Sequence, residues 1–240
     1  MGFPADGFMP VFEYGNPDAG IVLVQPVDDH DMSVMDSEVR HIRELTDKEF
    51  GLIAVKVEDW NTDLSPWKAP AVFGKEDFGN GADDTLAEIL KLIDDPCKKY
   101  IIGGYSLAGL FALWAATGTD VFCGVAAASP SVWFPGFVDY MEDHTFHARA
   151  VYLSLGDKEE KTRNPVMSKV GECIREAYKC LQRKGIDCTL EWNSGNHFKE
   201  PDLRTAKAFA WVMERIGSKG DYEYEHDEYN GEYTEQHQDY

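Results

Sequence analysis

The sequence predicts an α/β fold with a mostly parallel central sheet and helices on both of its faces. Short apolar runs alternate along the 240 residues with amphipathic stretches, which indicates strands and helices in alternation. Several of the runs are apolar at consecutive positions, as strands buried on both faces must be. Strand, helix, strand order repeated in this way is typical of a parallel sheet covered on both faces.

Seven short apolar runs are predicted strands. The first of them are expected to add an antiparallel edge to the sheet. The chain length suits one compact domain with a sizeable core rather than two domains. The predicted strands are Pro10 to Tyr14, Gly20 to Val27, Gly51 to Val57, Tyr100 to Tyr105, Val121 to Ala128, Ala150 to Leu155 and Asp187 to Trp192.

Five amphipathic stretches are predicted helices. The fourth carries boundary signals, because Asn164 followed by Pro165 suits an N-cap and a first helical position, and Gly185 follows its last turn. The predicted helices are Val34 to Lys48, Ala82 to Ile93, Leu107 to Ala116, Pro165 to Arg183 and Asp202 to Ile216.

One segment, Asp59 to Gly81, fits neither period and is rich in Pro, Gly and aromatic residues. Loops of this length in compact domains tend to be functional or mobile. Its aromatic side chains either form an apolar wall bordering a cleft or pack within a surface loop that binds no ligand. These side chains are Trp60, Trp67, Phe73 and Phe78.

Composition limits the class of partner and the compartment. The formal net charge of -20 argues against a nucleic-acid partner, which requires a cationic surface. No apolar run is long enough to cross a membrane, and the first residues lack the pattern of a signal peptide. The five cysteines lack the close spacing of a zinc or redox motif, which favours free thiols. We therefore expect a cytoplasmic protein with no membrane contact.

The C-terminal residues differ in composition from the rest of the chain. Residues 1–217 are predicted to form the single domain, and 218–240 an acidic tail. From Gly220 to Tyr240 there is no lysine or arginine and no apolar periodicity, so the tail should be solvated or disordered. A role in binding a partner or a metal through its acids, tyrosines, His226 and His237 is the alternative.

A serine stands at a predicted junction between a strand and a helix, in the stretch YIIGGYSLAGLFALWAA, Tyr100 to Ala116. A side chain at such a sharp turn projects above the sheet, beside helix N-terminal amides that favour negative charge. The turn needs small neighbours, and Gly104, Ala108 and Gly109 provide them. The G-x-S-x-A pattern therefore predicts that Ser106 is a nucleophile. The alternative is a hydroxyl that caps the helix.

A serine nucleophile needs a base and an acid, and the expected chain order is serine, acid, histidine. Of the seven histidines, His197 follows the last predicted strand and precedes the last predicted helix. The acid should follow the strand that ends at Gly156. Glu159 is the preferred candidate because a turn can bring its carboxylate under the histidine. Asp157 is its rival.

Four stretches together resemble a known family: GGYSLAG, ASPSVWF (Ala128 to Phe134), LSLGDKEE and SGNHF. They are similar to the α/β-hydrolase esterases that include esterase D, feruloyl esterases and siderophore esterases. The resemblance covers most of Gly20 to Ile216. It implies the α/β-hydrolase fold, with Ser106 as nucleophile, Glu159 as acid and His197 as base. Glutamate replaces the aspartate that the family often carries.

Catalysis of acyl transfer also needs donors for the oxyanion. The backbone N–H of Leu107, directly after the serine, is one candidate. The N–H of Val27, at the end of an early central strand, is the other, because Pro26 has none. No cofactor or metal is expected. The acids and histidine of Asp28 to Asp31 are interpreted as structural or substrate contacts rather than metal ligands.

These residues predict a serine esterase that cleaves a small-molecule carboxylic ester through an acyl-enzyme. Aromatic residues are expected to bind an apolar or aromatic group of the substrate near the serine. The alternatives are an inactive binding protein with a hydrolase fold, and an acyltransferase that uses the same residues. The predicted substrate-binding residues are Trp60, Trp67, Tyr105 and Trp133.

Overall fold

A single seven-stranded sheet organises the part of the chain that the computed structural model describes, residues 9–72, 74–93 and 95–216. The strand order is β1-β3-β2-β4-β5-β6-β7. The strands are β1 Val11–Gly15, β2 Ile21–Val27, β3 Gly51–Lys56, β4 Lys99–Tyr105, β5 Phe122–Ala128, β6 Ala150–Gly156 and β7 Asp187–Asn193.

Six of the strands run parallel, and β1 pairs antiparallel with β3, with Val11 opposite Val55. The predicted antiparallel edge and the predicted fold class are both confirmed. Each predicted strand agrees with an observed one to within about one residue at either end. The helices are α1 Asp29–Leu45, α2 Trp60–Asp63, α3 Ala82–Leu92, α4 Leu107–Gly118, α5 Phe137–Asp143, α6 Val170–Arg183 and α7 Pro201–Ile216.

Helices cover both faces of the sheet and bury a separate apolar cluster on each. On one face α1 and α7 pack against each other and against the central strands, around Met35, Phe209 and Met213. On the other face α3, α4 and α6 bury Ile89, Phe111 and other apolar residues. In α4 every residue from 107 to 116 is buried. A helix buried all round explains why this stretch is apolar on every side.

Two helix beginnings differ from the prediction. Helix α1 begins at Asp29 rather than Val34, because Asp28 caps it: its side chain accepts from the Asp31 N–H, and the Asp31 side chain accepts from the Asp28 N–H. Helix α6 begins at Val170 rather than Pro165. The Asn164 side chain accepts from the N–H groups of Val166 and Met167 in a turn that leads into a short 3₁₀ helix, Met167–Lys169, before α6.

The segment 59–81 contains more regular structure than the sequence predicted. Asp59 caps the short helix α2 by accepting from the Thr62 N–H at 3.0 Å, and Ala69 pairs with Phe78 in an isolated antiparallel bridge. Helix α5 was not predicted either. It is a short helix of seven residues that begins after Gly136, whose φ of 80° suits glycine.

The cysteines, the apolar helices and the acidic tail were the other subjects of prediction. The described residues include all five cysteines, and each is a free thiol. Among the residues that the structure describes, no helix is long and apolar enough to span a bilayer. The predicted acidic tail, with His226 and His237, lies outside the described residues, as does Phe73.

Candidate active site

Four neighbouring parallel strands end at one edge of the sheet, and the loops that follow them carry the polar side chains of the candidate site. Ser106 follows β4, Ser131 follows β5, Glu159 follows β6 and His197 follows β7. Ligands in open α/β sheets bind outside the carboxyl ends of the strands, so this edge is where a site is expected.

The turn at Ser106 has an unusual backbone. Its φ of 57° and ψ of -117° are strained for a residue other than glycine, and such strain is concentrated at functional sites. Gly104 has a φ of 156°, and a Cβ there would lie 2.6 Å from the Cβ of Ala108. A Cβ on Gly109 would lie 3.0 Å from the Gly104 carbonyl oxygen. The small residues of the motif therefore allow the strand to turn directly into α4.

Hydrogen bonds connect the three side chains that the sequence singled out. His197 Nε2 lies 3.0 Å from Ser106 Oγ, and His197 Nδ1 lies 2.7 Å from Glu159 Oε2. These distances are within the range for direct proton transfer. The structure thus brings the predicted nucleophile, base and acid together, although their catalytic roles stay predictions.

Glu159 is buried, and the carboxylate oxygen that does not contact His197 accepts three hydrogen bonds. Oε1 accepts from the Gly156 N–H at 2.7 Å, the Ser129 hydroxyl at 2.9 Å and Arg204 Nη1 at 3.0 Å. Burial alone would raise the pKa of Glu159, but the hydrogen bonds from His197, Gly156 and Ser129 lower it below its ordinary value. The side chain is therefore a carboxylate at neutral pH.

The rival acid, Asp157, has a different environment. Its Oδ1 accepts from the Gly195 N–H at 2.8 Å, and its own N–H donates to the Asn193 carbonyl at 2.8 Å. Asp157 therefore ties the loop after β6 to the loop that carries His197. Glu159 reaches the imidazole because a turn, closed by its N–H on the Gly156 carbonyl at 3.0 Å, reverses the chain.

Sequence reasoning missed Arg204, which lies under the site. Its side chain is 2% exposed and makes hydrogen bonds through both terminal nitrogens. Nη1 contacts the Tyr105 hydroxyl and Glu159, and Nη2 contacts the Ser194 and Asn196 carbonyls. The available signal was an arginine among the apolar residues of a predicted amphipathic helix.

A second hydroxyl lies beside the candidate nucleophile. Ser131 Oγ is 3.2 Å from Ser106 Oγ, and the Ser131 N–H donates to the Ser106 carbonyl at 3.0 Å. Ser131 itself is 2% exposed, whereas Ser106 is half-buried. Ser131 stands in the motif ASPSVWF, from which the sequence analysis singled out Trp133 but not this serine.

The two predicted oxyanion donors occupy the ends of their elements. Leu107 is the first residue of α4, where N–H groups lack partners within the helix. Val27 is the last residue of β2, and its carbonyl accepts from the Val57 N–H at 3.0 Å. The roles of both amides stay predictions.

Aromatic side chains of the segment 59–81 pack against the loop that follows β5. Trp67 donates from Nε1 to the Pro135 carbonyl at 3.0 Å and contacts Phe134 edge-on at a centroid distance of 5.6 Å. Phe78 lies 6.1 Å from the Trp133 ring. The segment 59–81 therefore packs against the residues that directly follow Ser131 in the chain. Its service as a substrate wall stays a prediction, as does that of Trp133.

The two other predicted substrate-binding residues have different surroundings. Trp60 begins α2 and is partly buried against the core. Tyr105 is buried, and its hydroxyl donates to the His197 carbonyl at 2.8 Å. Phe198, which was not predicted, is 86% exposed and packs edge-on against the His197 ring. It places an apolar surface in water beside the candidate base.

Two further features lie away from the three side chains. Asp28 and Asp31 form the cap of α1, and within the described ranges no group of three or more His, Cys, Asp or Glu is arranged to hold a metal ion. A cavity of about 350 Å³ lies at the opposite edge of the sheet, beside Tyr14, Lys98 and Tyr100. Hydrogen-bond geometry rather than cavity size therefore identifies the candidate site.

The sheet order, the helices on both faces and the tight turn after β4 define the α/β-hydrolase fold. No family model matches the sequence, and no curated protein does. The comparison with solved structures does find similar folds.

Structures described as hydrolases are among these matches. The siderophore hydrolase EstA from Aspergillus nidulans has a TM-score of 0.62 and 18% identity, over 90% of this chain and 97% of that one. An IroE-like serine hydrolase from Shewanella oneidensis has a TM-score of 0.67 and 13% identity, over 85% and 75%. The enterobactin esterase FES from Shigella flexneri has a TM-score of 0.57 and 14% identity, over 86% and 55%. The resemblance indicated by the four motifs is thus confirmed at the level of the fold.

Proposed function

We propose that this protein is a serine esterase that hydrolyses a carboxylic ester through an acyl-enzyme. The observation that carries the proposal is the hydrogen-bonded series from Ser106 through His197 to Glu159, at 3.0 Å and 2.7 Å. A serine hydroxyl becomes a useful nucleophile when a base accepts its proton and a third group orients that base. The fold likeness to solved esterases supports the same reaction class.

The histidine acts as the proton carrier because of its tautomer. Glu159 Oε2 is an acceptor, so the proton of neutral His197 resides on Nδ1 and the lone pair of Nε2 faces Ser106 Oγ. Ser106 Oγ forms a bond to the ester carbonyl carbon while its proton passes to Nε2. The ionised Glu159 stabilises the imidazolium that results.

The tetrahedral intermediate then collapses in the usual way for acyl transfer. The bond to the alcohol oxygen breaks, and the Nε2 proton goes to that oxygen, which releases the alcohol. A water molecule gives a proton to His197 and attacks the acyl-enzyme, and the return of that proton to Ser106 releases the carboxylic acid. The N–H of Leu107, at the start of α4, and the N–H of Val27 are the proposed donors to the oxyanion.

The side chains around Ser106 favour an ester with an apolar or aromatic group. Trp133, two residues after Ser131, is only 8% exposed and packs on Phe78, so it offers the substrate little surface. Phe198 exposes its ring next to His197. An aromatic or acyl group of the substrate that lies against the Phe198 ring would exclude water from it. Solved neighbours described as a siderophore hydrolase and a ferulic acid esterase support a small-molecule ester of this kind.

Replacement of the candidate nucleophile tests the proposal. Ser106→Ala should reduce hydrolysis of p-nitrophenyl esters by about 10⁶-fold and abolish covalent labelling by a fluorophosphonate probe. Ser33→Ala, at an exposed serine of α1, is the matched control and should behave as the wild-type protein. Labelling of Ser106→Ala at the wild-type level would remove this serine from the role.

A further inference from the structure

We propose that Arg204 is a positioning residue that fixes the geometry between the acid, the histidine loop and the nucleophile turn. This inference rests on the proposed function, because it assigns Arg204 a task in the same reaction. Arg204 lies in α7, outside the three loops that carry Ser106, Glu159 and His197.

The guanidinium group connects three separate parts of the chain. Nη1 donates to Glu159 Oε1 at 3.0 Å and to the Tyr105 hydroxyl at 3.0 Å, with the Ser129 hydroxyl at 3.3 Å. Tyr105 directly precedes the candidate nucleophile in the chain. One nitrogen thus holds both the acid and the end of β4.

The other nitrogen holds the loop that carries the base. Nη2 donates to the Ser194 carbonyl at 3.3 Å and the Asn196 carbonyl at 3.0 Å. The Tyr105 hydroxyl adds a bond to the His197 carbonyl at 2.8 Å. The backbone on the N-terminal side of the histidine and the histidine itself are therefore held by the same network that holds Glu159.

Charge and burial explain why an arginine suits this position. The guanidinium of Arg204 faces the buried Glu159 carboxylate, whose charge would otherwise be poorly compensated. The planar fork of donors can satisfy acceptors on two sides at once, which an ammonium group on a flexible stem cannot do. A lysine at position 204 would keep the charge and lose the fork.

Because Arg204 is buried beneath the site, its replacement should change kcat and not KM. The side chain is 2% exposed, and oxygen atoms of this protein surround its terminal nitrogens, so it does not touch substrate. A small displacement of reacting groups costs about 10²-fold in rate. Arg204→Lys should therefore lower kcat by about 10²-fold and leave KM within about 3-fold.

The experiment compares Arg204→Lys with Arg215→Lys in the same helix. Arg215 is 45% exposed, pairs with Asp187 and stacks on Trp211, away from the site, so its replacement should leave kcat and KM unchanged. End-point labelling by the fluorophosphonate probe counts the active molecules, so that kcat is expressed per competent site. A loss of folded protein alone would lower the labelled fraction and leave kcat per labelled site unchanged.

A double-mutant cycle adds a second readout. If Arg204 acts through the acid, Arg204→Lys should cost little further kcat in a Glu159→Gln background, because the residue through which it acts is already impaired. Additive losses of kcat in the double variant would overturn the inference. For Arg204→Lys alone, a kcat per labelled site equal to the wild-type value would also overturn it, and so would a KM that rises as much as kcat falls.

Tyr105→Phe keeps the inference testable if Arg204→Lys does not fold. It removes one acceptor of Nη1 and the bond to the His197 carbonyl, and should lower kcat by about 3- to 10-fold with KM unchanged. An unchanged kcat in this variant would contradict the inference. If the wild-type protein is not labelled at Ser106, the proposed function itself fails. If it is labelled and Arg204→Lys turns over normally, only the role of Arg204 fails.

Discussion

Replacement of Glu159 by glutamine should abolish the base function of His197, and the structure shows why. Three donors converge on Glu159 Oε1, from Gly156, Ser129 and Arg204. The glutamine must keep its carbonyl oxygen at that place, since an amide NH₂ group would face three other donors. Its NH₂ group then faces His197 Nδ1, 2.7 Å away in the wild-type protein.

This arrangement imposes the wrong tautomer on the imidazole. When Nδ1 must accept a hydrogen bond, the ring proton resides on Nε2, which can then no longer accept the proton of Ser106. Loss of the correct tautomer in a serine triad costs about 10⁴-fold in kcat. That factor corresponds to about 5 kcal/mol of transition-state stabilisation. We therefore expect Glu159→Gln to lower kcat for p-nitrophenyl acetate by about 10⁴-fold.

Asp157→Asn is the matched control for this experiment. The asparagine keeps a carbonyl oxygen that can accept from the Gly195 N–H, so kcat should stay within about 3-fold of the wild-type value. Thermal unfolding of both variants establishes that each is folded at the assay temperature. The reverse result, a severe loss in Asp157→Asn with near-normal turnover by Glu159→Gln, would refute the reasoning and identify Asp157 as the acid.

Two more predictions concern Ser131 and Glu38. Ser131→Ala should lower kcat/KM by about 3- to 10-fold, because Ser106 Oγ loses a neighbour 3.2 Å away that fixes its rotamer, and steady-state kinetics with unchanged or increased kcat/KM would contradict this. Burial raises the pKa of Glu38 well above its ordinary value, and the charges of Asp31 and Asp202 add to this. The hydrogen bond from Gln25 opposes the rise and is outweighed. Glu38 therefore stabilises the fold while protonated, and this contribution is lost as the pH rises through the raised pKa. The free energy of unfolding in urea should fall with rising pH in the wild-type protein relative to Glu38→Gln, and a constant difference over the pH series would show that Glu38 does not titrate in this way.

Local pattern was sufficient to predict most of the secondary structure. Strands β2, β4, β5 and β6 are buried almost throughout, and their consecutive apolar residues predicted them. The edge strands β1 and β7 are largely exposed or half-buried, and shorter apolar runs predicted them. The helices that were missed are α2 and α5, which have four and seven residues and too few turns to show a period. The early start of α1 depends on the reciprocal cap between Asp28 and Asp31, whereas the apolar period becomes clear only further along the helix.

The sequence by itself determined the fold class, the strained serine at the end of β4 and the order of serine, acid and histidine along the chain. These depend on local periodicity, on small residues around a turn and on chain order, all of which are readable in one dimension. Tertiary structure alone decided that Glu159, and not Asp157, contacts the imidazole. The two acids are two positions apart in the turn that follows Gly156, and the turn directs Glu159 to His197 and Asp157 to the Gly195 N–H. It also decided that Arg204 meets Tyr105, 99 positions earlier, since that contact requires α7 to begin beside the carboxyl end of β4 and to pack along the central strands. Contacts of this kind depend on how whole elements pack, and no local pattern encodes them.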